Sequence, residues 1–245
     1  MPRSLEKFFT GHVSKTALLT LLPVSFASFF GTVITAAIYF PERYDWRVRV
    51  ISNLTSPHDN PRFYWLPSLG IAAAMLLLLP FAGYVEQRLR AIAPRTARSA
   101  GAAFAFGFSV LFCAVVAQLA QPLIGMGWLH EFLARAAAGA FAVGMVCCSL
   151  CALKDRFDGQ SLLCNALAYG WASLTLLPVI CLVAIGALVL LGHQLDVAWA
   201  ENLRQSFRTT PMWHLAFWEW AGAVAASVFL TVSAWWLPAR IQTPA

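Results

Sequence analysis

A chain of 245 residues that is 60% hydrophobic and 11% charged, with a mean hydropathy of +0.68, cannot hide its apolar surface inside a water-soluble core; soluble domains carry roughly 25% charged residues. The bilayer must therefore act as solvent for most of the chain. The net charge of +6 does not indicate nucleic acid, because the basic residues sit between apolar runs, where they set topology and meet anionic headgroups, and no basic patch is interleaved with aromatics.

Six apolar runs follow one another, at about 17–40, 66–85, 100–122, 131–153, 162–191 and 214–237. Each approaches or exceeds the ~20 residues that cross a hydrocarbon core at ~1.5 Å per residue. In lipid the backbone must satisfy its own hydrogen bonds, so each run is predicted to be a helix. The predicted fold class is an all-α membrane protein: one six-helix transmembrane bundle covering residues 1–245 as a single domain. The first run is too long for a cleaved leader and no A-x-A site follows it, so it reads as a retained helix. Pro178 predicts a kink or tilt in the fifth. Dense small residues in Gly101–Gly107 and Ala134–Gly144 predict close packing of the third and fourth.

Orientation follows from Lys and Arg. Arg3, Lys7, Lys15, Arg88, Arg90, Arg95, Arg98, Lys154, Arg156 and Arg240 fall on one side, whereas Arg43, Arg47, Arg49, Arg62, Arg204 and Arg208 fall on the other. The positive-inside rule then places both termini in the cytoplasm. Tyr39, Tyr44, Trp46, Tyr64, Trp65, Trp128, Trp199, Trp213, Trp218 and Trp220 gather at the predicted outer boundary, and Trp235 and Trp236 mark the inner one. An Ala-rich chain with 14 Arg among its 17 basic residues fits a bacterial inner membrane.

Polar chemistry collects on the predicted outer side, which carries two substantial loops, Pro41–Trp65 and about Gly192–Trp213. Within the first, Val48–Leu54 reads as a short strand or interfacial segment. A polar pocket open to the outer leaflet would be lined by His58, Asp59, His130, Glu131, Arg135, His214 and Glu219. His193, Asp196, Gln118 and Gln121 lie at similar depth. Ionisable groups within spans are costly and often mark working sites. Glu131 and Arg135 are four residues apart on one helix and can pair. Glu219 has no local cation, and His214 or Arg135 is its expected partner. Arg135 suits a phosphate or carboxylate headgroup. The competing expectation is ordinary interfacial polarity with no pocket.

No cofactor or metal is assigned. H-E-x-x-H, G-x-S-x-G and a phosphate-cradling glycine loop are all absent. Zinc would need ligands such as His58, His130 and His214 from three separate segments. Cys148 and Cys151 form a C-x-x-C inside an apolar helix with no second pair. Together with Cys113, Cys147, Cys164 and Cys181 they read as small apolar residues.

Ile51-Ser52-Asn53, followed by Pro57, Pro61 and the stretch from Trp65 to Gly70, resembles the outer-loop signature of the Frag/DRAM/Sfk group and of related bacterial six-helix membrane proteins. The resemblance implies six helices with cytoplasmic termini and a lipid-linked role, such as remodelling of lipid anchors or lipid asymmetry. Asn53 stands where that group usually has an acid, and no catalytic residue carries over. Ser52 and Asn53 are therefore assigned to shaping the loop. The expected function is binding or remodelling of lipid at the outer leaflet, with membrane lipids as partners and no nucleic acid. One alternative is an intramembrane lipid hydrolase or acyltransferase, with Ser52 as nucleophile and His58 or His214 as base. Another is an accessory subunit with a membrane-protein partner.

Overall fold

The computed structural model describes residues 8, 13–125, 127–159, 162–191, 197–208 and 210–237. Eight helices and no strand occur among them: α1 Lys15–Ile38, α2 Ile51–Thr55, α3 Trp65–Leu89, α4 Pro94–Ile124, α5 Gly127–Phe157, α6 Asn165–Val189, α7 Ala198–Arg208 and α8 Leu215–Trp236, with a 3-10 turn at Pro211–Trp213 before the last. Six of these (α1, α3, α4, α5, α6 and α8) are long and apolar enough to cross a membrane. The chain is an integral, multi-pass membrane protein with an all-α six-helix bundle.

The helices start and stop where local chemistry directs. Ser14 opens α1, its Oγ accepting from Ala17 N at 3.0 Å. Pro94 occupies the first turn of α4, where its missing N–H costs nothing. Gly125, at φ +66°, ends α4 in the left-handed conformation and lets α5 begin two residues later. Both α4 and α5 have 31 residues and run well beyond the predicted spans. At ~46 Å they exceed a ~30 Å hydrocarbon core. Hydropathy marks where lipid ends, whereas a helix bearing Arg95, Arg98, Glu131 or Lys154 continues into the headgroups. Several span hydroxyls bond within their own helices, as with Thr35 Oγ1 to Gly31 O at 2.7 Å and Thr231 Oγ1 to Ser227 O at 2.8 Å.

Around the bundle the spans neighbour one another in the order α1, α3, α4, α5, α6, α8 and back to α1. The α4–α5 hairpin is the most extensive contact, and Gly107 and Gly144 allow it: a Cβ at Gly107 would stand 3.0 Å from the Phe141 ring, and one at Gly144 2.9 Å from the Phe104 ring. The bundle axis is filled. Phe81 of α3, Phe104 and Phe108 of α4, Phe141 of α5, Trp171 of α6 and Phe229 of α8 form one aromatic cluster with ring centroids 5.1–6.5 Å apart. Above it, α2 touches α1, α3, α4 and α8 and buries Leu54. The segment expected as a strand or interfacial stretch is thus a short helix covering the axis at the loop end. Asn53 accounts for this, because its Oδ1 accepts from Val50 N at 3.0 Å and so starts a helical turn.

At the opposite end, Lys15 Nζ donates to the carbonyls of Trp235 and Leu237, closing the start of α1 onto the end of α8. Fully buried Asp155 accepts from Leu162 N (3.0 Å) and Leu163 N (2.9 Å), which holds the α5–α6 connection. Inside the cluster the Trp171 indole donates to Ser233 Oγ at 2.9 Å, and both residues are fully buried. Ser233→Ala leaves that N–H without its acceptor. The expected loss is ~1–3 kcal/mol, read as a lower melting temperature in detergent by tryptophan fluorescence; an unchanged midpoint would show that the bond contributes nothing.

Candidate functional site

At the loop end of the bundle, α8 holds the 41–64 loop in place. Glu219, in the second turn of α8, directs Oε2 at Ile51 N (2.8 Å) and also accepts from Ser52 N. It therefore caps α2 from another helix, and its partners are backbone amides in place of the expected His214 or Arg135. One residue on, Trp220 Nε1 donates to Tyr44 Oη at 3.2 Å, and Tyr44 Oη donates to Arg49 O at 2.7 Å. Arg49 in turn pairs with Glu42 at 2.6 Å and lies over the Phe40 ring at 4.9 Å. Further along, Asn53 Nδ2 donates to Asp59 Oδ2 (3.1 Å), Asp59 N to Ser56 Oγ (3.3 Å), and buried Asn60 Nδ2 to Leu54 O (3.0 Å). The loop is a fixed lid built from its own Asn and Ser residues.

Burial pushes the Tyr44 phenol from its ordinary 10.0 up to about 12, against the lowering effect of the Trp220 hydrogen bond. The folded state thus favours the neutral phenol. Tyr44 stays a donor at physiological pH, and stability is withdrawn only as pH climbs from 10.0 towards about 12.

Beside this lid, on the flank of the bundle, lies an open groove of about 470 Å³. Ile34, Ala37 and Ile38 of α1 form one wall, Trp220 of α8 the other, and Tyr44 and Trp46 of the loop its upper edge. The lining is apolar apart from the phenol and indole edges. The volume falls within the ~300–1,000 Å³ of small-molecule sites. An open depression with so apolar a lining suits hydrocarbon better than a compact polar substrate.

The structure distributes the residues singled out from the sequence over several places. Ser52, Asn53, His58 and Asp59 belong to the lid: Asn53 and Asp59 are bonded to each other, and His58 is exposed on the Pro57–Asp59 turn. Glu219 anchors the lid, and His214 stands at the N-cap of α8 with no side-chain capping bond. His130 is buried between α4 and α5, its Nδ1 2.9 Å from Ala114 O; a carbonyl only accepts, so that nitrogen carries the proton. Glu131 and Arg135 pair at 2.9 Å on the exposed surface of α5, with side chains 64% and 79% exposed. α5 supplies no wall of the groove. His193 and Asp196 lie outside the described residues. No three metal-ligating side chains converge among the described residues, and Ser52 makes no hydrogen bond to a histidine among them.

Sequence reasoning assigned Tyr44, Trp46 and Trp220 to an interfacial belt and gave Ile34, Ala37 and Ile38 no role. The groove depends on α1 and α8 being adjacent, and the bonded Tyr44 and Trp220 of its lining are 176 residues apart; no local pattern announces that adjacency. Comparison with protein-family models, with curated proteins and with solved structures returns no match.

Proposed function

We propose that this protein binds lipid at the outer leaflet, with one acyl chain lying in the α1–α8 groove and the headgroup at the 41–64 lid. The observation that carries the reading is the groove itself, an open, apolar depression between two spans, α1 and α8, edged by a phenol and an indole. Those rings are at home where hydrocarbon meets headgroup. The exposed guanidinium group of Arg43, next to Tyr44 in sequence, offers charge to an anionic headgroup, whereas Arg47 is paired with Asp45 at 3.7 Å. A fixed lid supports binding because the receiving surface is already ordered, so little entropy is lost when a lipid arrives.

The test is native mass spectrometry of the protein released from nanodiscs containing phosphatidylcholine and phosphatidylglycerol. Wild type is expected to retain lipid. Ala37→Trp, which fills the groove, and Trp46→Ala, which removes its edge, are expected to lose most of it. Arg135→Ala is the discriminating control. Should it strip the lipid while Ala37→Trp does not, the site lies on α5 and the groove reading fails.

A further inference from the structure

The connection between α6 and α8 contains a helix that the hydropathy pattern did not announce. In α7 (Ala-Trp-Ala-Glu-Asn-Leu-Arg-Gln-Ser-Phe-Arg), Trp199, Leu203 and Phe207 recur every fourth residue and fall on one stripe. All three are exposed, at 61%, 40% and 37%. The helix nevertheless has a second, occupied side. Ala200 is fully buried, and α7 packs on α6 and on the 3-10 turn before α8. The charges of that side are spent on each other: Arg204 Nε and Nη2 donate to both oxygens of Glu201 at 2.6 and 2.5 Å, and Gln205 Nε2 donates to the same carboxylate at 2.8 Å. The aromatic and leucine stripe, which runs beside this occupied side, stays exposed with no charge among it.

The position of α7 in the chain determines what it meets. Its first turn is tied to the end of one span, since Val197 N donates to Leu191 O at 2.9 Å. Its last turn leads through Thr210, whose N–H returns to Phe207 O at 2.9 Å, into the 3-10 turn and α8. A helix tethered this closely to two spans is held at the boundary of the bilayer. There an apolar stripe opposite a polar face is the pattern of a helix lying in the interface plane. We infer that α7 is an in-plane membrane helix whose Trp199, Leu203 and Phe207 side chains insert into the leaflet next to the ends of α6 and α8. The occupant of the stripe is the lipid surface, which is continuous with the lipid-facing flanks of those spans. Because the 3-10 turn joins α7 to the helix carrying Glu219 and Trp220, insertion of the stripe also fixes the depth at which the lid sits.

Electron paramagnetic resonance on the full-length protein in phosphatidylcholine nanodiscs tests this. Nitroxide labels go on the stripe (Leu203→Cys, Phe207→Cys) and on its polar neighbour (Asn202→Cys). The spectrum of labelled wild type, which carries exposed Cys113 and Cys164, is subtracted from each. The expected result is an accessibility ratio, oxygen over aqueous nickel chelate, several-fold higher at 203 and 207 than at 202. Equal ratios at all three positions would place the stripe in water. Exclusion of both reagents at 203 and 207 would show it covered by protein. Either result overturns the inference, and two stripe positions guard against one variant failing to fold.

Discussion

Replacing Glu219 by Ala should lower the melting temperature by several degrees and release the 41–64 lid. Glu219 joins α8 to the start of α2, and it serves two amides at once. Without it, the N–H groups of Ile51 and Ser52 lose a charged acceptor in a part-buried setting. A hydrogen bond to a charged group contributes ~1.5–3 kcal/mol, and partial exposure brings the pair below its full sum of ~3–6 kcal/mol, to about 2 kcal/mol. For a chain of this size that is a drop of ~4–8 °C. Glu219→Gln retains an acceptor oxygen of the same reach but not the charge, and should recover about half the loss. Limited proteolysis supplies the second measurement: the Ala variant should be cut within 41–64 at protease levels that leave wild type intact. On the proposed function it should also retain less lipid, because Tyr44 and Trp46 belong to the same loop. A variant as stable and as protease-resistant as wild type would show that the lid is held by its internal Asn and Ser bonds alone.

The largest single-residue effect is expected at Gly70. A Cβ there would stand 2.0 Å from Thr32 Oγ1 and 2.5 Å from the Ser28 carbonyl oxygen of α1. Ser28 Oγ already donates to Gly70 O at 2.9 Å, so the backbones of α1 and α3 are locked at this crossing. Gly70→Ala must therefore part the two helices, at about 3 kcal/mol, the upper end of the usual cost of overpacking. Separating α1 also displaces Ile34, Ala37 and Ile38, so lipid retention should fall together with stability. Adding Thr32→Ala removes the nearest obstruction but not the Ser28 carbonyl. The double variant should thus regain only part of the loss, with ~1–2 kcal/mol of coupling. Independent, additive effects would mean that the crossing is looser than the geometry shows.

The two sites differ in how far the sequence revealed them. Gly70 lay in plain view as the early glycine of the second span, yet nothing in the sequence says that Thr32 stands opposite it. Glu219 was conspicuous as an acid inside a span. Its partner was not, because a backbone amide leaves no mark in a sequence, and the search for a cation led to His214 and Arg135. The Glu131–Arg135 pair was legible as an i,i+4 spacing and is present. The α7 helix was missed because its Glu, Asn, Arg and Gln residues depress mean hydropathy. A four-residue period within eleven residues carries that signal, and a search for spans passes over it.

Composition and hydropathy alone established the solvent, the number of spans and their approximate limits. Those properties follow from composition and from the fixed thickness of a bilayer, which any 20-residue apolar run must match. Only the tertiary structure decided what those helices build. It set α1 beside α8 so that a groove opens between them, closed the axis with rings from five helices and with α2, and drew Glu219 onto the amides of the loop. In lipid every span is apolar on most faces, so hydropathy cannot name a helix's neighbours. Small residues, shape and a few hydrogen bonds choose them, and those act only between segments that the fold has already brought together.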